Sequence, residues 1–369
     1  MTQSRLVHDA TQPSVRAPVQ ASTGGLAWDA ALREHWRARI GECEEADEIV
    51  ELLSHSLAPS TAQSYGGHVA RFFSWCQRQP DQPQPLPSST ASVVRWLVAD
   101  VVRGDRVRAR SLQPYLSAIN RIHRDLEFDE PALGHVVQQV RRGVALRQAR
   151  LGRPSQRVYL PPPVVERVLL WALDQDMAEV RRSPRLRALF RAAAAVVLTF
   201  SIFCRGDTGS SIAAGDVRTS AAGISVTLEH EKGKHVEGTA RVLTFPPGAV
   251  PGLQELLGRW ESLRGAVGAA HSYFALAGER GQFPSSQIDA WLQLILGHLG
   301  EHPPDGETWS GHSLRKGAAS GSAAIDVALF RICFMGGWSI QSRAVYDYID
   351  ATCPASAACR RFFGWLTRR

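Results

Sequence analysis

The chain has 369 residues, with 42 lysines and arginines against 35 aspartates and glutamates, a formal net charge of +7 and a pI near 9.4. This length suggests two domains with a core each, and the basic balance makes a polyanionic partner plausible. The scattered cysteines fit neither a zinc knuckle nor a disulfide framework, and no segment resembles a membrane span or a secretory leader, so we expect a soluble, intracellular protein with reduced thiols.

The N-terminal part of the chain predicts a small helical bundle. Residues 1–30 are rich in Thr, Gln, Ser, Ala and Gly without periodicity, so we expect a disordered tail. Ser60 and Gln63 predict a capping box, after which apolar side chains recur at helical spacing as far as Cys76. Further helical patterns cover residues 93–101, 112–126 and 133–144. We therefore expect a helical domain over residues 31–150.

Arginines are concentrated at the end of this domain. Residues 103–157 contain twelve arginines and five acidic residues. Such a one-sided stripe on a small helical domain is typical of a nucleic-acid-binding surface, and the alternative is a solvated basic face.

The C-terminal part predicts a second, mostly helical domain. Prolines indicate an extended linker over residues 151–163, and the second domain covers residues 164–369. Apolar residues alternate with polar ones between Ile224 and Leu228, and residues 241–245 predict a returning strand, which together make a β-hairpin. The expected fold class is mainly α with a small β-hairpin or sheet (α+β).

Lysine is rare in this chain and is placed unevenly. Lysines occur only at positions 232, 234 and 316. Lys232 and Lys234 lie in the turn of the predicted hairpin, and an ammonium can be tuned towards proton donation whereas a guanidinium cannot. We expect Lys232, or its rival Lys234, to be a proton donor. A solvated turn is the alternative.

Three residues have side chains suited to binding one phosphate. Arg205 follows a long apolar stretch, and arginine binds phosphate oxygens in pairs. His312 and Arg315 lie one helical turn apart, so both can face the same group. His312 can also take or share a proton. A helix-capping role for Arg205 and a capping or core role for His312 are the alternatives.

The remaining candidates are aromatic. Trp338 offers an indole N–H to a phosphate oxygen, although most tryptophans are core residues. Tyr348 can attack phosphorus and form a covalent phosphotyrosine, and Tyr346 is the rival nucleophile.

The order of these groups resembles that of the tyrosine recombinase, or phage-integrase, family. The matching residues are Arg205, Lys232, His312, Arg315, Trp338 and Tyr348. Residues 60–75 are similar to the family's SAM-like core-binding domain. Residues 312–317 with Gly337-Trp338 resemble members from Crypton and DIRS mobile elements. The resemblance covers roughly residues 56–352.

The resemblance implies both an architecture and an activity. An N-terminal SAM-like, core-binding DNA-binding domain and a C-terminal catalytic domain would form a C-shaped clamp on double-stranded DNA. The protein would be a site-specific recombinase or integrase that cuts and rejoins strands through a 3′-phosphotyrosyl intermediate. It would use no metal or other cofactor, assemble as a tetramer in the synapse and need no membrane partner. Its compartment would be the nucleus in a eukaryote and the cytoplasm in a bacterium.

The sequence departs from the family pattern near two of these residues. The family's acid three positions after the first arginine is replaced by Thr208, and Asp207 lies one position earlier. The family's tyrosine follows the tryptophan by eight or nine positions, whereas Tyr346 follows at eight and Tyr348 at ten. We favour Tyr348 because it precedes Ile349, as in the family's ending.

Three other functions remain as alternatives. A catalytically decayed or domesticated DNA-binding protein fits the missing acid. A type IB topoisomerase would use the same residue types, and an arginine-rich RNA-binding protein would match the motif by accident. We also expect the apolar C-terminal segment, residues 362–366, to pack on its own domain or on a neighbouring protomer.

Overall fold

The computed structural model describes residues 26–103, 107–150, 158–229, 240–279 and 281–367. The chain divides into two compact units between residues 153 and 154. The predicted disordered tail and the first half of the predicted linker lie largely outside the described residues. Helix α1 begins at Leu26, within the last five residues of the predicted tail.

The described part of the first unit is helical. Its α-helices are α1 (Leu26–Ile40), α2 (Ala46–Ser54), α3 (Pro59–Arg78), α4 (Thr90–Trp96), α5 (Gln113–Asp125) and α6 (His135–Arg150). Side chains such as Phe72, Trp96 and Ile119 form its core. The expected Ser60–Gln63 capping box is wrong. Helix α3 starts at Pro59, because proline at the first helical position has no N–H that needs a cap.

The second unit is built around one buried helix. Its α-helices are α7 (Pro162–Asp174), α8 (Met177–Arg182), α9 (Pro184–Ser201), α10 (Gly206–Ser211), α11 (Leu253–Arg264), α12 (Gln287–Leu299), α13 (Gly311–Ala323), α14 (Leu329–Gly336) and α15 (Ala357–Phe363). Helix α9 is buried from Ala192 to Ser201, where four consecutive alanines let neighbouring helices approach closely.

A small antiparallel sheet lies in the second unit. Strands β1 (Val217–Ser220), β2 (Gly223–Leu228) and β3 (Arg241–Phe245) pair in that order. The predicted pairing of β2 with β3 is confirmed, and β1 is an addition that the sequence did not indicate. The hairpin turn with Lys232 and Lys234 lies outside the described residues. The fold is mainly α with a small sheet, as predicted.

The C-terminal segment packs on its own unit. The ring centroids of Phe362 and Phe363 lie 5.2 and 5.5 Å from that of Phe200. The ring centroid of Trp365 lies 5.3 Å from that of Phe245. This observation favours the own-domain alternative. In the described part of the chain, no helix has both the length and the apolarity needed to cross a bilayer.

Candidate active site

Helix α13 carries His312 and Arg315 and is fixed at its first turn. The Ser310 N–H donates to Ser313 Oγ at 3.1 Å, and the Gly311 N–H donates to Asp289 Oδ1 at 2.5 Å. Further along, a Cβ at position 317 would lie 2.1 Å from the Leu160 carbonyl oxygen, so only glycine allows this approach. The helix that carries His312 and Arg315 is therefore held in place by the hydrogen bonds of its first turn and by the close packing of Gly317 on Leu160.

Two glycines bring the starts of α10 and α13 together. A Cβ at position 311 would lie 2.8 Å from the Cα of Gly206, so the two backbones touch where side chains are absent. Arg205 precedes α10 and His312 lies in the first turn of α13. These two side chains consequently line one cavity of about 140 Å³, which is otherwise mostly polar.

Arg315 lies almost completely inside the protein, with an exposed fraction of 2%. Its Nη1 donates to the Phe203 carbonyl oxygen at 2.8 Å, and its Nε has no hydrogen-bond partner within the described residues. Burial, and then the positive charge of Arg205, lower the pKa of Arg315 to about 10. Both causes penalise the cation, so an anion bound between the two arginines would be stabilised.

The turn that offers this carbonyl has an unusual backbone. Phe203 follows α9 with φ of +56°, in the left-handed region that bulky side chains rarely adopt. Its ring packs on Phe363 at 5.3 Å, which supports the conformation. Phe203 therefore links the C-terminal segment to the position of Arg315, a connection that the sequence did not reveal.

Trp338 and Tyr348 lie against Arg315. The guanidinium carbon is 3.9 Å from the Trp338 ring centroid and 5.2 Å from that of Tyr348. The Tyr348 ring also lies 5.1 Å from Trp338 and 6.0 Å from His312, centroid to centroid. Tyr346 is 60% exposed and points away from the chain's interior. The structure brings four of the six predicted residues into one cluster that contains Tyr348.

The segment around Tyr348 is tied to α13. Ser320 Oγ accepts from the Asp350 N–H at 2.8 Å, and its one hydrogen is shared between the carbonyl oxygens of Lys316 at 2.7 Å and Tyr348 at 3.1 Å. Lys316, the lysine without a predicted role, forms a 3.1 Å ion pair with Asp350. These contacts fix the backbone on both sides of the phenol.

Position 208, where the tyrosine recombinase pattern has an acidic residue, is a threonine in this chain. Thr208 is buried, whereas Asp207 is exposed and its Oδ1 accepts a 2.8 Å hydrogen bond from the Thr208 N–H. Asp207 lines the same cavity as Arg205, so a carboxylate is present near this arginine from a neighbouring position. In the described residues, no group of three or more His, Cys, Asp and Glu side chains is arranged to hold a metal ion.

The chain resembles solved recombinase structures. No protein-family model and no curated protein sequence matches it. The XerH site-specific recombinase bound to palindromic difH substrate, in a post-cleavage complex, matches with a TM-score of 0.52 at 12% identity, over 87% of this chain and 90% of that chain. The XerH pre-cleavage complex with difH matches with a TM-score of 0.51 at 11% identity, over 87% and 91%. These likenesses concern the course of the backbone, and they show that the chain has the tyrosine recombinase fold.

Proposed function

We propose that this protein is a site-specific DNA recombinase that cuts and rejoins strands through a 3′-phosphotyrosyl intermediate on Tyr348. The observation that carries the proposal is the cluster of Tyr348 with His312, Arg315 and Trp338 in a chain with a recombinase fold. A tyrosine next to a buried guanidinium whose Nε–H finds no partner in the described part of the chain fits attack on a bound phosphodiester.

The two arginines would stabilise the negative charge that develops on the phosphorane. Arg315 already carries the cost of burial, and Arg205 adds repulsion. A scissile phosphate would relieve both, and more so as its charge grows in the transition state. The buried Trp338 Nε1–H has no hydrogen-bond partner in the described residues and would become a further donor.

Proton transfer would be divided between two groups. His312 would take the Tyr348 proton as the phenolic oxygen bonds to phosphorus. Lys232, or Lys234, would protonate the leaving 5′ oxygen as its bond to phosphorus breaks. Rejoining reverses each transfer, so the phosphotyrosine conserves the bond energy and no nucleotide is consumed.

Double-stranded DNA is the proposed partner. The XerH structures contain difH substrate, and this chain presents exposed arginines along α6, among them Arg142, Arg147 and Arg150. Each guanidinium that neutralises a phosphate releases counterions, so binding should weaken steeply with salt. We propose assembly of a tetramer in the synapse, and origin in a Crypton or DIRS element remains a prediction.

A decayed DNA-binding protein is the second candidate. The observation that favours it is the buried Thr208 where the family has an acid. Such a protein would keep salt-sensitive DNA binding and lose strand cleavage.

Covalent trapping on nicked suicide duplexes tests the proposal. The duplexes would be selected from random sequences by binding to the wild-type protein, because the target site is unknown. We expect an adduct with wild type and with Tyr346→Phe, and none with Tyr348→Phe. Loss in Tyr346→Phe alone would move the nucleophile, and no adduct with the wild type would favour the decayed protein.

A further inference from the structure

Arg241, the first residue of β3, occupies a position that a strand normally gives to an apolar side chain. Burial alternates along β3, and Leu243 and Phe245 face the core on the same side as Arg241. Arg241 is only 6% exposed. A buried guanidinium is costly unless its donors are satisfied, so its partners indicate why it is there.

Two of those partners are carbonyl groups at the end of α14. The Arg241 Nη1 donates to the Phe334 carbonyl oxygen at 2.9 Å and to the Met335 carbonyl oxygen. The helix ends in a left-handed Gly337 (φ +66°), with the Gly337 N–H bonded to Phe334 O at 3.2 Å and the Trp338 N–H to Cys333 O at 2.9 Å. These two bonds give the carbonyl groups of Cys333 and Phe334 a backbone donor, and the Met335 carbonyl has no backbone donor among the described residues. A cation there also complements the helix dipole.

The end of α14 determines where Trp338 lies. A Cβ at position 336 would lie 1.9 Å from the Trp338 ring, so the ring rests directly on the backbone of Gly336. The centroid of the same ring lies 3.9 Å from the guanidinium carbon of Arg315 and 5.1 Å from the ring centroid of Tyr348. Any shift of the last turn of α14 would consequently move the indole against Arg315 and Tyr348.

We infer that Arg241 is a positioning residue of the active site: it holds the C-terminal turn of α14 so that Trp338 stays on Arg315. The inference rests on the proposed function for its catalytic consequence, but its structural part stands on the contacts alone. Arg241 itself would touch neither DNA nor the reacting atoms. Its proposed effect reaches the phosphate through Trp338. After burial and Arg205, its positive charge also lowers the pKa of Arg315 directly, so Arg241→Lys, which keeps that charge, separates the two effects.

The structural part is tested by ¹⁹F NMR of protein labelled with 5-fluorotryptophan. The Trp338 resonance is assigned as the one that is missing in Trp338→Phe. Arg218→Gln is the matched control, because Arg218 is an exposed arginine on β1 of the same sheet. We expect Arg241→Gln to shift or broaden the Trp338 resonance and Arg218→Gln to leave it unchanged. An unchanged resonance in folded Arg241→Gln overturns the inference, whether or not the protein cuts DNA.

The catalytic part is tested by a double-mutant cycle of single-turnover cleavage. A misplaced catalytic group commonly costs up to roughly 100-fold in rate, so we expect Arg241→Gln to slow cleavage by about 10–100-fold with DNA affinity retained. Adding Arg241→Gln to Trp338→Phe should slow cleavage by less than it does in wild type, because the two residues act through one contact. Additive effects would overturn the inference.

A substrate with a 5′-bridging phosphorothiolate separates this role from one on the hairpin lysine. Its sulfur leaves without protonation, so a defect in proton donation disappears on it. We expect the Arg241→Gln defect to persist, and its disappearance would overturn the inference. If Arg241→Gln does not fold, Arg241→Lys, which can still reach one carbonyl, takes its place. A wild type without cleavage contradicts the proposed function, whereas an unmoved Trp338 resonance contradicts this inference.

Discussion

His123 in the first unit and Arg315 in the second are both buried basic side chains, yet their surroundings differ. His123 is 0% exposed, its Nε2 accepts from the Ser88 N–H at 2.8 Å, and its Nδ1 lies 2.7 Å from the Ile119 carbonyl oxygen. Since Nε2 accepts, Nδ1 carries the proton and donates. Arg315 instead keeps a buried Nε that has no partner among the residues that the structure describes, and it faces the charge of Arg205. Completed hydrogen bonding indicates a structural role, and uncompensated charge indicates a place for an anion.

The largest expected effect comes from removing the uncompensated charge. Removing one preorganised donor costs about 10²–10³-fold in rate, so we expect Arg315→Gln to slow single-turnover cleavage by that factor. Its free energy of unfolding should change little, because the variant also removes the cost of burying the cation. Arg185→Gln, at an exposed arginine of α9, is the control. A large loss of stability in Arg315→Gln would contradict the view that Arg315, unlike His123, serves to bind an anion rather than to stabilise the fold.

His123→Leu should have the opposite profile. It leaves the buried Ser88 N–H without its acceptor, whereas the Ile119 carbonyl lies inside α5 and loses only its second donor, and a buried unsatisfied group costs about 1–3 kcal/mol. We expect the free energy of unfolding in urea to fall by that amount, with the cleavage rate per folded molecule unchanged. His135→Leu, at an exposed histidine of α6, is the control. A cleavage defect in the folded fraction would show that the first unit affects the chemistry.

Binding of sulfate should distinguish the two sites by ligand. An anion between Arg205 and Arg315 would relieve repulsion that His123 does not experience. At a sulfate concentration of roughly five times Kd, the linkage gives about 1 kcal/mol of stabilisation. We expect a rise in Tm that chloride at equal ionic strength does not produce and that Arg315→Gln abolishes. An equal rise in that variant would mean that sulfate binds elsewhere or acts as a general stabiliser.

Local patterns in the sequence predicted most of the fold and the site's residue types. Alternation identified β2, residues 241–245 predicted β3 as its returning strand, and the spacing of His312 and Arg315 placed both on one helix. Contacts between distant segments could not be read in this way. The Arg241 partners lie more than 90 positions away, and β1 has four residues, too few for a clear pattern.

Two residue choices show the same limit. Ser60 and Gln63 matched a capping box, but the proline before them set the helix start. Tyr346 fitted the family's spacing and Tyr348 fitted the family's ending, and only packing places the Tyr348 ring beside Arg315. Its role as the nucleophile stays a prediction.

The smallest expected effect is a pH dependence that arises from His123. Burial lowers the pKa of His123 below its ordinary value of 6.5, with smaller opposing contributions from the Ile119 hydrogen bond and the charge of Glu130. The unfolded chain thus takes up this proton at a higher pH than the folded protein does. Stability that is complete above pH 6.5 should be lost as the pH falls below it, towards the lower pKa of the folded state.

His68 has a pKa lowered by burial and by Arg71, so it contributes in the same direction. Urea unfolding at pH 7.5 and pH 5 in wild type, His123→Gln and His68→Gln separates the two contributions. We expect the difference in free energy of unfolding between the two pH values to be smaller in His123→Gln than in wild type. An undiminished difference in His123→Gln would mean that His123 is protonated in the folded protein at pH 5. The contrast with Arg315 would then rest on hydrogen bonding alone, because both side chains would carry a buried charge.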